Sequence, residues 1–167
     1  MRTGRPGHLK QFDYRGFHRY FLTFCTYDRK RQFVEPGTVE IVLAQVLRAA
    51  EQERFAILAY CFMPDHVHLL VEGESENAEC LRFIARAKQF SGFHFLKHAG
   101  TRLWQRYGFE RALRSEEDTL AVARYIFENP VRAGLVSAPE EYAHSGSARY
   151  SIAAILGACG YDPQWSG

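Results

Sequence analysis

Residues 55–71 hold two apolar runs of strand length, parted only by Met63-Pro64-Asp65. This stretch limits the folds open to the chain more than any other. Proline has no N–H to give to a sheet ladder, so the break reads as a turn. The runs Phe55–Phe62 and His66–Glu72, the second closed by Gly73, therefore predict a hairpin.

The other elements are read around that hairpin. Residues His18–Tyr27 alternate, with Tyr20, Leu22 and Phe24 on one side and Phe21, Thr23 and Cys25 on the other. Their aromatic and β-branched content supports a strand. Asp28–Arg31 is a charged turn. Thr38–Arg54 carries Val39, Val42, Leu43, Val46, Leu47 and Ala50 on one helical stripe, with Thr38 as the expected N-cap. A second helix is expected from Asn77 to about Lys97, ended or bent at Gly92. Phe109–Arg114 is a short strand, and Ser115 followed by Glu116, Glu117 and Asp118 opens a third helix. That helix is expected to reach about Glu128 and stop before Pro130. A weak helix, Ile152–Leu156, interrupts a loop-like C-terminus. The order β-α-β-β-α-β plus a further helix predicts an α+β fold with a ferredoxin-like antiparallel sheet. Such a fold hosts many activities, so function has to come from particular residues.

A chain of 167 residues suits one domain and can bury a core without staples. The expected layout is a basic arm over 1–17, a core domain over 18–150 and a tail over 151–167. The four cysteines Cys25, Cys61, Cys80 and Cys159 form no CxxC pair, which suits a reducing compartment. No apolar run approaches the ~20 residues of a membrane span. The charged, Gly/Pro-rich start does not read as a signal peptide. A cytoplasmic protein is expected.

Charge is distributed unevenly. Residues 1–31 hold eight Lys/Arg against two Asp, or +6, and the remaining thirteen basic and seventeen acidic residues sum to −4. A basic arm on a near-neutral body fits a polyanionic partner, or serves only as a solubilising tail. In the first case Arg2, Arg5, Lys10 and Arg15 follow a DNA strand, with Phe12, Tyr14 and Phe17 stacking on unpaired bases. Arg82, Arg86 and Lys88 on the second helix then neutralise phosphates, or else form a solvated helix face. Trp104 is read mainly as a core anchor.

His66 and His68 lie two apart on a predicted strand, so both imidazoles face the same way, roughly 6.5–7 Å apart at Cα. Two such rings can chelate one metal, or can be polar residues on a half-exposed strand face. Val67 and Leu69 face the opposite side, into a core. On the third helix Tyr125 and Asn129 are four apart and share a face, at the edge of an apolar arc formed by Leu120, Val122, Ala123, Ile126 and Phe127. That edge suits a phenol and an amide approaching a sheet-face site. It also suits a tyrosine at a core margin and an ordinary helix-ending Asn-Pro.

Taken together, these segments resemble a known family. Met63-Pro64-Asp65-His66-Val67-His68-Leu69-Leu70-Val71 looks like the HUH motif (His-hydrophobe-His) of single-strand transposases. Leu103-Trp104-Gln105, Phe109–Arg114 and Tyr125-Ile126-Phe127-Glu128-Asn129-Pro130-Val131-Arg132-Ala133-Gly134-Leu135 resemble the REP-associated tyrosine transposases, as does Phe17–Phe24. The likeness spans roughly residues 5–150. It implies that 18–150 is a catalytic domain with Tyr125 as nucleophile and His66, His68 and Asn129 as ligands of Mg²⁺ or Mn²⁺. It also implies cleavage and rejoining of single-stranded hairpin DNA (repetitive extragenic palindromes) in the bacterial cytosol, through a 5′-phosphotyrosine. A monomer is expected rather than a homodimer. Two other readings remain open: a non-catalytic DNA- or RNA-hairpin-binding module, and a small-molecule metal hydrolase.

Overall fold

The computed structural model describes residues 14–159; Arg2, Arg5 and Lys10 of the expected basic arm lie outside the described residues. The chain runs β1 (Arg19–Cys25), α1 (Pro36–Glu53), β2 (Phe55–Met63), β3 (His66–Gly73), α2 (Cys80–Ala99), β4 (Phe109–Leu113), α3 (Glu116–Arg132), β5 (Ser145–Gly146) and α4 (Ile152–Ala158). The sheet order is β4-β1-β3-β2-β5, and every neighbouring pair is antiparallel. The ferredoxin-like α+β order read from the sequence is therefore present. β5 is an addition at the β2 edge, two residues long and too short to leave a periodic signal.

Each face of the sheet has its own core. Tyr20, Leu22, Phe24, Val67, Leu69 and Val71 pack with α1 and α2 residues such as Val42, Val46, Phe83 and Phe95. On the other face Ala59, Cys61, Met63 and Leu70 meet Val122, Ala123, Ile126 and Phe127 of α3 and Leu156 of α4. Helices cover both faces of β3, and that accounts for its nearly unbroken apolar sequence. A bulge at Ile57–Ala59 shifts the β2 register. Phe55 and Ile57 therefore face α1 and α2, whereas Leu58 and Ala59 both pack on the α3 side.

Several boundaries differ from expectation for local reasons. β1 ends at Cys25, where the Thr26 hydroxyl, 2.7 Å from the Lys30 carbonyl and 3.0 Å from that of Asp65, shares its one proton between them and ties down the turn. α1 starts at Pro36, whose fixed φ suits a first helical position, so Thr38 is a buried first-turn residue and not the N-cap. α2 is capped by Glu79, whose carboxylate accepts from the amides of Leu81 and Arg82. Gly92 neither ends nor bends it; the buried Phe83, Ala87 and Phe95 carry the helix on to Gly100, at φ +73°. α3 opens as expected, with the Ser115 hydroxyl accepting from the Asp118 amide. It then passes through buried Pro130 to Arg132, four residues beyond the expected end. There the Arg132 guanidinium donates to the Tyr125 carbonyl at 2.6 Å, and the Ala133 amide donates to the Asn129 carbonyl. The segment read as a tail contains α4, slightly longer than expected, with Leu156 buried.

Among the described residues, no helix is long and apolar enough to cross a membrane. Ile126 is fully buried between α3 and the sheet. Ile126→Ala is expected to cost about 2–5 kcal/mol in a denaturant titration. Arg124→Ala, which removes a solvent-accessible i,i+4 pair with Glu128, is expected to cost under about 1 kcal/mol.

Candidate active site

β1 and β3 present Thr23, Cys25, His66 and His68 on the face that α3 covers, because Thr23 pairs with His68 and Cys25 with His66. The two imidazoles stand 4.7 Å apart between ring centroids. His68 is 7% exposed, so the half-exposed strand face considered from sequence is not what forms here.

Each histidine is held through Nδ1. Asp65, in the hairpin turn, lies 2.7 Å from His66 Nδ1, and the Arg29 Nε donates to the other Asp65 oxygen at 3.0 Å. Partial burial would raise the Asp65 pKa, but hydrogen bonds from His66 and Arg29 outweigh it and hold the carboxyl below its usual range. An ionised carboxylate only accepts, so His66 Nδ1 carries a proton and donates it to Asp65. His68 Nδ1 and the Thr23 hydroxyl share a hydrogen bond of 2.9 Å. Burial, then the neighbouring His66 and the cations Arg132 and Arg29, push the His68 pKa down to about 3.

α3 brings Tyr125 over this pair. Its ring centroid is 5.9 Å from that of His68 and 6.0 Å edge-on from Phe21, which itself stacks on His68 at 5.3 Å. The Arg132 guanidinium sits 4.1 Å from the centre of the Tyr125 ring and 3.6 Å from Glu128. Tyr125 remains 47% exposed, so the side chain is not enclosed by its neighbours. Asn129 lies one turn further along the same face and is half-buried. Among the described residues, no group of three His, Cys, Asp or Glu side chains forms a metal cage. A cation here would draw on the two imidazoles and a neutral oxygen such as the Asn129 amide.

The described cations singled out from sequence, Arg15, Arg82, Arg86 and Lys88, lie elsewhere. α2 packs on the opposite face of the sheet, so Arg82, Arg86 and Lys88 are not gathered with the histidines. Arg86 faces Glu53 at 3.7 Å. The Lys88 ammonium donates to the carbonyls of Gln105 and Arg106, and burial lowers its pKa. Arg15 joins Glu79 through the backbone, and Arg15 and Arg82 line a concavity of about 420 Å³. The cations that act on His68 are instead Arg132 and Arg29, and Arg111 lies 6.0 Å from the ring of Phe21, which stacks on His68. Sequence reasoning left out Phe21, Thr23, Asp65, Arg111 and Arg132 as site residues. The alternation of β1 carried a signal for Phe21 and Thr23, and seven-residue spacing from Tyr125 carried one for Arg132.

A ferredoxin-like sheet with a histidine pair on its central strand, faced by a tyrosine from a covering helix, defines the class. The family described as Transposase, IS200-like matches residues 17–129, and the chain belongs to that family. It is 26% identical over 159 residues to a candidate REP-associated tyrosine transposase of Haemophilus influenzae, covering 89% of this chain and 87% of that one. It is also 26% identical over 129 residues to the REP-associated tyrosine transposase of Escherichia coli K12, covering 75% and 74%. A solved REP-associated tyrosine transposase bound to a REP hairpin shares the fold, with a TM-score of 0.70, 20% identity, and 84% and 82% of the chains covered.

The depressed His68 pKa has a measurable consequence. The folded ring stays neutral where the unfolded ring, near ~6.5, takes a proton, so His68 favours folding above that pH and opposes it as pH falls towards 3. The His68 ring resonances are expected to stay flat between pH 8 and 5 in a metal-free NMR titration; a midpoint near 6.5 would contradict the buried placement.

Proposed function

We propose that this transposase cleaves and rejoins single-stranded hairpin DNA with Tyr125 as the nucleophile and His66, His68 and Asn129 as ligands of Mg²⁺ or Mn²⁺. The observation that carries the reading is the contact of Tyr125 with His68 inside one chain. The relatives named above support the choice of substrate, a palindromic hairpin of the REP type.

The donor set suits a divalent cation. Both histidines are anchored through Nδ1, the support that ligating imidazoles usually have, and a neutral His68 has no proton to lose on binding. A bound cation would polarise the scissile phosphate and offset developing charge. The Tyr125 oxygen attacks phosphorus; the bond to the 3′ oxygen breaks, giving a 5′-phosphotyrosine and a free 3′-OH. In the reverse step a 3′-OH attacks that phosphotyrosine, and the phenol leaves with its proton restored. Arg132 holds the tyrosine through its ring face and its carbonyl. Because nucleophile and histidines come from one chain, a monomer acting on DNA in the cytosol is sufficient.

Hairpin oligonucleotides from beside the protein's own gene, incubated with Mn²⁺, are expected to give a covalent adduct that mass spectrometry maps to Tyr125. Tyr125→Phe should abolish the adduct, and mixing Tyr125→Phe with His68→Ala chains should not restore it. Hairpin binding with neither adduct nor cleavage would favour the non-catalytic binding module. Asp65→Ala, which frees His66 Nδ1, is expected to weaken Mn²⁺ binding about 10–100-fold by calorimetry.

A further inference from the structure

On the far side of β1 from the histidines, α2 and residues 101–107 enclose a groove of about 470 Å³. Lys88, Arg102 and Arg106 line it, and no carboxylate does. Its apolar wall is Phe93 and Leu96, each about half exposed. Lys97 lies 4.5 Å from the centre of the Phe93 ring, and Arg102 lies 4.7 Å from that of Tyr27, also half exposed.

Among the described residues, Lys97, Arg102 and Arg106 make no ion pair; Arg102 donates through Nε to the Trp104 carbonyl, which leaves its two terminal nitrogens for a ligand. Arg19, Arg86, Arg124, Arg132 and Arg149 each meet a carboxylate. Uncompensated cations interleaved with exposed flat rings match a polyanion that also carries flat rings, namely single-stranded nucleic acid. An acidic peptide would satisfy the cations and leave the rings unused.

The groove is built in advance. The Trp104 indole N–H donates to the Ser91 hydroxyl at 2.9 Å, and Lys88 clamps the carbonyls of Gln105 and Arg106. Gly108 lets the segment lie against β1; a Cβ there would come within 2.7 Å of the Thr23 carbonyl oxygen. A preformed wall keeps the ordering cost of binding low. The groove is linked to the histidine strand through β1. The Gln105 amide donates to the Cys25 carbonyl at 3.0 Å, and Cys25 is the register partner of His66. The backbones of Gln105 and His66 are thus two strand spacings, ~10 Å, apart across the sheet.

We propose that this groove holds an unpaired DNA segment continuous with the strand that reaches His66 and Tyr125, with phosphates on Arg102 and Arg106 and a base on Phe93. The proposal rests on the reading above that the substrate is hairpin DNA. Its test is the full chain carrying Phe93→Ala and Arg106→Glu, both surface changes, with the fold checked by circular dichroism. Fluorescence anisotropy compares a hairpin with an unpaired flank and the same hairpin with blunt ends. The double variant is expected to lose affinity for the flanked hairpin by on the order of 10-fold or more, with a shallower salt dependence, and to bind the blunt hairpin as before. Unchanged binding of the flanked hairpin, in a protein that still forms the Tyr125 adduct, overturns the groove and leaves the proposed function standing. Equal losses on both hairpins also overturn it, since they reflect charge alone. Wild-type protein that binds neither hairpin overturns both readings.

Discussion

The docking of α3 on the sheet is the constraint on which the site depends. Ile126 and Phe127 are fully buried against Ala59, Cys61, Met63 and Leu70. That packing needs small and medium side chains from β2 on the α3 side, and the bulge at Ile57–Ala59 supplies them by resetting the alternation of the strand. Without the bulge, Cys61 and Met63 would point at α1 and α2. Passage of α3 through Pro130 extends the same contact and brings Arg132 back onto Tyr125.

Burying one face of β3 gives its two histidines different environments. His68 lies deep, stacked on Phe21 and held neutral by desolvation. His66 sits at the hairpin end, tied to an Asp65 carboxylate that Arg29 keeps ionised. Both rings lose freedom through Nδ1, so the pair is oriented before any ligand arrives. Tyr125 is different: it packs on His68, Phe21 and Arg132 yet stays about half exposed. An oriented histidine pair beside a partly exposed tyrosine suits a substrate too large to be enclosed.

Charge follows the same division. Many arginines are spent on ion pairs that stitch elements together, as Arg19 does to Glu72 and Arg149 to Glu74. Lys88 donates to loop carbonyls, a partner that its place on a helix did not reveal. Two of the cations that lie beside aromatic rings, Arg111 at Phe21 and Arg102 at Tyr27, come from segments with no conspicuous basic run.

The sequence by itself determined the order of elements, the hairpin around Pro64-Asp65 and the shared face of His66 and His68. These follow from local rules: alternation along a strand, a stripe along a helix, and the missing N–H of proline. It also put Tyr125 at the margin of the apolar arc of α3. Tertiary structure decided what covered the histidines, because a strand buried on both faces reads the same whichever helix lies over it. It decided that Pro130 would be carried inside a helix, since packing of the buried ring outweighs the lost N–H. It decided that Thr23 would support His68 and that Arg29 would hold Asp65. Those partners come together by strand register and by the path of the chain after β1, and neither is written in the spacing of residues along one segment.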